Sequence, residues 1–92
     1  MSQAETTRDE LVSRNELGHR LYVLRHAQAG GRLSLAKVQE LTGVPETTLS
    51  RWERGRGERY PDLERLEKLA DLYQVALPDL LSTTRAWNDV AA

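Results

Sequence analysis

Four arginines fall within nine positions of the chain, at Arg51, Arg54, Arg56 and Arg59. A guanidinium group donates hydrogen bonds in a planar fork that matches phosphate oxygens and the O6 and N7 acceptors of guanine. On a short helix and the loop behind it, such groups could bind the phosphates and base edges of a nucleic acid. On their own they are more typical of a solvated surface, so their context in the chain decides the interpretation.

The charge of the chain is unevenly distributed. Its 13 lysines and arginines and 14 acidic residues give a net charge of −1 at pH 7. Residues 14–60 nevertheless hold nine basic residues against five glutamates, whereas residues 1–13 and 61–92 are both net acidic. A basic middle between acidic ends is about equally typical of a polyanion-binding surface and of ordinary variation along a chain.

Length and composition restrict the class of protein. The 92 residues suffice for one small domain, and 39% hydrophobic with 29% charged residues suits a soluble globule. The absence of cysteine excludes a disulfide framework and a cysteine-based zinc site, and it weakly favours a reducing compartment. No apolar run approaches the ~20 residues that cross a bilayer, and the polar, acidic first residues lack the pattern of a secretory signal. We therefore expect a cytoplasmic protein without a membrane partner.

Apolar residues at helical spacing predict an all-α fold of five short helices. Glycines at Gly30, Gly43 and Gly55 mark the ends of the first three. The predicted helices start near residue 14 after Ser13, run from about Leu35 to Thr42 after Ser34, run from about Pro45 to Arg54, open after Pro61, and lie around Pro78 to Leu81.

Capping-box patterns occur at both Thr7 and Ser13, so residues 1–13 are predicted to be a loose arm or a short extra helix. The remaining units are a helical domain over residues 14–82 and a tail over residues 83–92. Within the domain, Leu63 is expected on the buried side of the fourth helix, and either Leu41 or Thr42 on that of the second.

The third predicted helix has two different faces. At 100° per residue, the core-facing residues are Leu49, Trp52 and Glu53, and the opposite residues are Thr47, Ser50, Arg51 and Arg54, with Glu46 at the edge. A helix, a tight glycine turn and a short helix across residues 34–54 have the spacing of a helix-turn-helix. In that motif the second helix enters the major groove, and its N-terminal residues approach base edges.

The sequence resembles the Cro/C1-type helix-turn-helix family, the XRE-like bacterial and phage repressors. Four motifs carry the resemblance, in the family's order: LGHRLYVLR (17–25), LSLAKVQELTGV (33–44), TTLSRWERG (47–55) and PDLERLEKLADLYQVALPDLL (61–81). The resemblance implies a compact, lambda-repressor-like five-helix domain that binds operator DNA, generally as a dimer.

The resemblance also implies roles for individual residues. Glu46, Thr47 and Arg51 occupy the positions that read bases. Arg25 and Glu53 correspond to a structural ion pair. The implied phosphate contacts are Ser34, Leu35, Thr48, Ser50, Arg54, Arg56 and Arg59.

Four departures from the family pattern alter these expectations. The connection after Arg25 and the loop before Pro61 are longer than usual, and the second of these brings Arg59 and Tyr60 towards the expected DNA side. Gln39 stands where a small alanine normally lets the two motif helices approach closely. Pro45 replaces the usual Ser or Thr cap, so we expect the third helix to lack a side-chain cap of its own.

We therefore predict a sequence-specific regulator of transcription that binds double-stranded DNA. In this family it would most often be a repressor, acting as a homodimer on a palindromic operator and associated with the nucleoid when bound. Trp87 is predicted to pack on a second subunit in preference to its own domain. The alternative is an antitoxin or protein-interaction adaptor that has kept the fold.

Catalysis finds little support in the sequence. It contains no glycine-rich phosphate loop, HExxH motif, nucleophile elbow or Cys–His pair. We expect neither an enzyme nor a cofactor. His19 and His26 are expected to be surface residues and not metal ligands.

Overall fold

The computed structural model describes residues 11–57 and 59–83, and its regular elements are helices. The five described helices are α1 (Arg14–His26), α2 (Leu35–Thr42), α3 (Glu46–Glu53), α4 (Leu63–Tyr73) and α5 (Leu77–Leu81). The predicted all-α, five-helix fold is confirmed. Within the described residues, no helix combines the length and the hydropathy that crossing a bilayer requires.

Side-chain caps determine where three of the helices begin. Ser13, Ser34 and Asp62 are extended residues whose side-chain oxygens accept a hydrogen bond from a backbone N–H of the first turn. Such a bond satisfies one of the donors that a helix start leaves unpaired. The bonds join Ser13 to the Glu16 N–H (3.1 Å), Ser34 to the Lys37 N–H (3.0 Å) and Asp62 to the Arg65 N–H (3.2 Å).

One hydrophobic core lies between the helices, and α1 packs most extensively against α3. Burying a leucine or valine side chain stabilises a fold by about 1.5–3 kcal/mol, so this cluster dominates the packing energy. Its most completely buried members are Leu17, Leu21, Val38, Val44, Leu49, Leu66, Leu69 and Leu80.

Two predictions about individual positions are wrong. Leu63 is 58% exposed, because it is the first residue of α4 and its side chain leans over the turn before the helix, past the core. Pro45 precedes α3 as its N-cap and is not the first helical residue. At the end of α2, Thr42 takes the inward position, while Leu41 is 51% exposed.

The two ends of the described domain pair with each other. Leu11 forms an isolated antiparallel bridge with Ser82, and the Val12 N–H donates to the Leu81 carbonyl at 2.8 Å. Val12 is only 3% exposed, so this part of the expected arm belongs to the packed domain. Residues 1–10 and 84–92, with Trp87, lie outside the described residues.

A buried arginine, Arg20, donates hydrogen bonds to the carbonyl groups at the end of α5. Arg20 is 5% exposed, and its Nη1 donates to the carbonyls of Asp79, Leu80 and Ser82 at 3.2, 3.1 and 3.1 Å. Its Nε donates to a Glu16 carboxylate oxygen at 3.0 Å. The last carbonyls of a helix have no intrahelical partner, so Arg20 stabilises a five-residue helix that could not persist alone.

Close packing of α1 on α3 depends on Gly18. A Cβ atom at Gly18 would overlap the Trp52 carbonyl oxygen and would lie 3.0 Å from the Glu53 carbonyl oxygen. Both are backbone atoms that no side-chain rotation can move. Glycine at this position therefore sets the distance between α1 and the C-terminal half of α3.

We expect Gly18→Ala to destabilise the protein. Alanine favours a helix by about 1 kcal/mol over glycine, but separating α1 from α3 should outweigh this gain and lower the free energy of unfolding by about 1–3 kcal/mol. Urea denaturation measures the change. Gly30→Ala is the control, since a Cβ there meets nothing within 4 Å. A Gly18→Ala variant as stable as the unaltered protein would contradict the packing argument.

Candidate nucleic-acid interface

α3 has one face on the core and the other in solvent. Leu49 is 1% exposed, Trp52 is half-buried, and the side chain of Glu53 is 7% exposed. The residues proposed from the sequence to contact bases lie on the solvent side, where the exposed positions are Glu46, Thr47, Arg51 and Arg54, with Thr48 and Ser50 half-buried beside them.

The arginines of this region are exposed and unpaired within the described part of the chain. Across residues 11–57 and 59–83, the guanidinium groups of Arg51, Arg54, Arg56 and Arg59 have no hydrogen bond or ion pair. A cation held near a protein surface without a counter-charge attracts anions from solution. The solvent side of α3 and the loop behind it therefore form a locally cationic surface on a chain that is slightly acidic as a whole.

A Schellman motif ends α3 and turns the chain back beside it. The Arg56 N–H donates to the Arg51 carbonyl at 2.8 Å, and the Gly55 N–H donates to the Trp52 carbonyl at 3.0 Å. Gly55 has a φ of +70°, in the left-handed region that favours glycine. The side chain of Asn15 lies against Gly55, and Arg14 donates to the Gly57 carbonyl, so the start of α1 supports this loop.

Two clefts flank the solvent face of α3. The first, the loop cleft, lies between α3 and the loop that follows it, and it is lined by Thr48, Arg51, Trp52, Arg56, Gly57 and Arg59. The second, the α2 cleft, is lined by Tyr22, Arg25, Leu35, Ser50, Glu53 and Arg54. Six of the seven residues proposed as phosphate contacts thus divide between two sites on either side of one helix, and the seventh, Ser34, precedes Leu35 in the chain.

A bidentate ion pair connects α1 to the end of α3. Arg25 Nε donates to Glu53 Oε2 at 2.7 Å, and Arg25 Nη2 donates to Glu53 Oε1 at 2.8 Å. The third nitrogen, Nη1, donates to the Leu33 carbonyl at 2.8 Å. The hydrogen bonds to Glu53 raise the pKa of Arg25, against the opposing effect of burial. The pair therefore joins α1, the connection before α2, and α3 through one guanidinium.

A helix-turn-helix family model matches residues 31–80, which is more than half of the chain. The chain belongs to the Cro/C1-type helix-turn-helix family. Comparison with curated proteins and with solved structures gave no significant match. The match covers α2, α3, the loop after α3 and α4, and it includes every lining residue of both clefts except Tyr22 and Arg25 of α1.

Gln39 also contributes to this site, in a role that the sequence analysis did not predict. Its side-chain Oε1 accepts a hydrogen bond from the Glu46 N–H at 2.7 Å, and its backbone carbonyl accepts from the Gly43 N–H at 2.8 Å. The sequence held one signal for this contact, since Pro45 has no side-chain oxygen to cap α3.

Tyr60, which was expected near the DNA side, does not line the loop cleft. The Tyr60 hydroxyl donates to the Val12 carbonyl at 2.8 Å, and burial raises the pKa of Tyr60. Tyr60 therefore supports the paired ends of the domain, and it is Arg59 that lines the loop cleft.

The two histidines of α1 have different surroundings. His19 is exposed, whereas His26, which was expected at the surface, is half-buried because its ring packs 4.1 Å from that of Tyr22. Desolvation, and then the charges of Arg25 and Arg32, lower the pKa of His26. The described residues contain no group of three or more His, Cys, Asp or Glu side chains that could hold a metal ion.

Breaking the ion pair between Arg25 and Glu53 should destabilise the fold. Arg25→Met leaves the Glu53 carboxylate, on a side chain that is only 7% exposed, without its partner, and we expect the free energy of unfolding to fall by about 3 kcal/mol. Arg54→Met removes an exposed guanidinium from the same helix end and should change it by no more than about 0.5 kcal/mol. Urea denaturation of both variants at constant ionic strength compares them, and similar midpoints would refute the role of the pair.

Proposed function

We propose that the protein is a sequence-specific, double-stranded DNA-binding regulator of transcription that inserts α3 into the major groove. Membership of the Cro/C1-type family supports a DNA-binding regulator of this type. The observation that carries the finer proposal is the division of α3 into a buried side, with Leu49, and an exposed cationic side, with Arg51 and Arg54. The role is one of binding, with no catalytic step.

The exposed residues in the N-terminal half of α3 and in its next helical turn would recognise the bases. Arg51 can donate two hydrogen bonds to guanine O6 and N7. Thr47 can bond to a base edge or contact a thymine methyl group, and the Glu46 carboxylate can accept from cytosine N4. Because Glu46 repels phosphates, it also disfavours positions of α3 in which it would lie beside the DNA backbone.

Phosphate contacts hold α3 in the groove from both sides. Arg56, Arg59 and Thr48 in the loop cleft would bind one strand, and Ser50, Arg54 and the start of α2 at Leu35 would bind the other. The first N–H groups of a helix also favour a phosphate. Such contacts release counterions, which makes affinity strongly dependent on salt.

The regulator would act as a homodimer on a palindromic operator. Two copies related by a two-fold axis read half-sites about 34 Å apart, one helical turn of DNA. The C-terminal region with Trp87 is our candidate for the contact between them. Occupying an operator excludes other proteins from the same DNA, so repression is the proposed outcome, at the nucleoid in the cytoplasm.

A selection of bound sequences from a random pool of duplexes tests the function. We expect enrichment of one palindromic sequence, because an isologous dimer presents the same residues to both half-sites. The control is the same selection with the Arg51→Ala variant, in which the enrichment should be weaker. Failure to bind any duplex at low salt would reject the proposal and leave a protein-interaction role, such as that of an antitoxin or adaptor.

Single-arginine variants should separate base reading from phosphate binding. Arg51→Ala should weaken binding to the selected duplex by about 1–3 kcal/mol and reduce its preference over random DNA. Arg56→Ala should weaken binding to both duplexes about equally and reduce the slope of log affinity against log salt by about 1. Titrations at several salt concentrations measure these effects.

Arg65→Ala is the matched control for charge. Arg65 is an exposed arginine on α4, and its side chain lies 3.9 Å from Asp62. Its removal lowers the net charge by the same amount as Arg51→Ala or Arg56→Ala. If all three variants weakened binding equally, a general effect of charge, and not the proposed contacts, would explain the result.

A further inference from the structure

We infer that Gln39 is a positioning residue for DNA recognition, because its side-chain amide holds the first turn of α3 in place. The inference rests on the proposed function and concerns a residue outside the set expected to contact DNA. It explains how α3 keeps a defined N-terminus although its own N-cap residue, Pro45, makes no side-chain hydrogen bond.

The contact satisfies the first backbone donor of a helix that has no side-chain cap. The first backbone N–H groups of a helix have no intrahelical acceptor, and a side chain at the N-cap normally supplies one. Here the acceptor comes from the preceding helix, since Gln39 Oε1 lies 2.7 Å from the Glu46 nitrogen. Both residues are exposed, so without this bond the Glu46 N–H would bind water and the first turn would be less firmly held.

The backbone of Gln39 also stabilises the turn between α2 and α3. Its backbone carbonyl accepts from the Gly43 N–H at 2.8 Å, where α2 ends in a residue with φ of +81°. The next N–H, that of Val44, donates to the Thr42 hydroxyl at 3.2 Å. The two carbonyl groups of Gln39 thus connect the end of α2 to the start of α3 across the whole turn.

The position of this bond predicts which property of binding it controls. Glu46 and Thr47 lie in the first turn of α3, and a base contact requires its side chain within about 0.5 Å of the productive geometry. The arginines of the loop cleft lie at the other end of α3, where Gly55 and Arg14 support the chain. Loss of the Gln39 bond should therefore reduce discrimination between sequences while leaving binding to random DNA nearly unchanged.

Two variants of Gln39 and one control test the inference. Gln39→Met keeps the length of the side chain and removes the acceptor. Gln39→Glu keeps an acceptor, and its charge is favourable at the positive N-terminus of a helix. Ser13→Ala removes a neutral side-chain acceptor from the first turn of α1, where the Ser13 hydroxyl accepts from the Glu16 N–H at 3.1 Å.

The measurement is the ratio of affinities for the selected and a random duplex. We expect Gln39→Met to lower this ratio about fivefold, the usual worth of one hydrogen bond. Gln39→Glu should weaken binding to both duplexes through its charge and preserve the ratio, and Ser13→Ala should leave the ratio unchanged. In the free protein, amide exchange at Glu46 should be faster in Gln39→Met than in the unaltered chain.

The opposite results would refute the inference or one of its premises. An unchanged ratio in Gln39→Met, or an equal fall in Ser13→Ala, would refute positioning by Gln39. Unaltered exchange at Glu46 in Gln39→Met would refute the hydrogen bond itself. If the unaltered protein selected no duplex, the proposed function would fail first, and the exchange measurement would still report on the contact.

Discussion

The bidentate ion pair between Arg25 and Glu53 is the interaction on which the exposed face of α3 depends. A helix of eight residues is not stable in isolation, so α3 exists because α1 and the core hold one side of it. The Glu53 side chain is only 7% exposed on that side, so an unpaired carboxylate there would destabilise the fold. Arg25 compensates the charge and fixes the rotation of α3, and that rotation turns Thr47 and Arg51 towards solvent.

Burial and partners, more than net charge, separate the structural arginines from the candidate DNA contacts. Arg20 and Arg25 are buried, and carbonyl or carboxylate oxygens surround their guanidinium groups. Arg51 and Arg56 are exposed and unpaired across the described ranges. A net charge of −1 does not oppose DNA binding, because exposed charges are screened beyond about 8 Å at physiological salt. The acidic residues of α4 are not among those that line the loop cleft.

Features governed by neighbours in the sequence could be predicted from the residues themselves, whereas the contact between Arg25 and Glu53, 28 positions apart, was expected only through the family resemblance. The starts of α1 and α2 follow from Ser13 and Ser34, because a cap acts within its own first turn. The exposure of Arg51 follows from helical periodicity once Leu49 is assigned to the core. By contrast, the contact of Arg20 with Leu80 spans 60 residues, and no local pattern specifies it. The positions of the two clefts likewise depend on how the loop after Gly55 turns back.

The departures at Gln39 and Pro45, which looked unrelated in the sequence, are one arrangement in the structure. A small residue at position 39 would let α2 and α3 approach closely but could not reach the Glu46 N–H. Glutamine is long enough to reach it and supplies the acceptor that proline lacks. The cap of α3 therefore depends on the relative position of α2 and α3, whereas a Ser or Thr cap would depend on its own turn alone. With Gln39 at one end and Arg25 at the other, the neighbouring helices determine how α3 is presented.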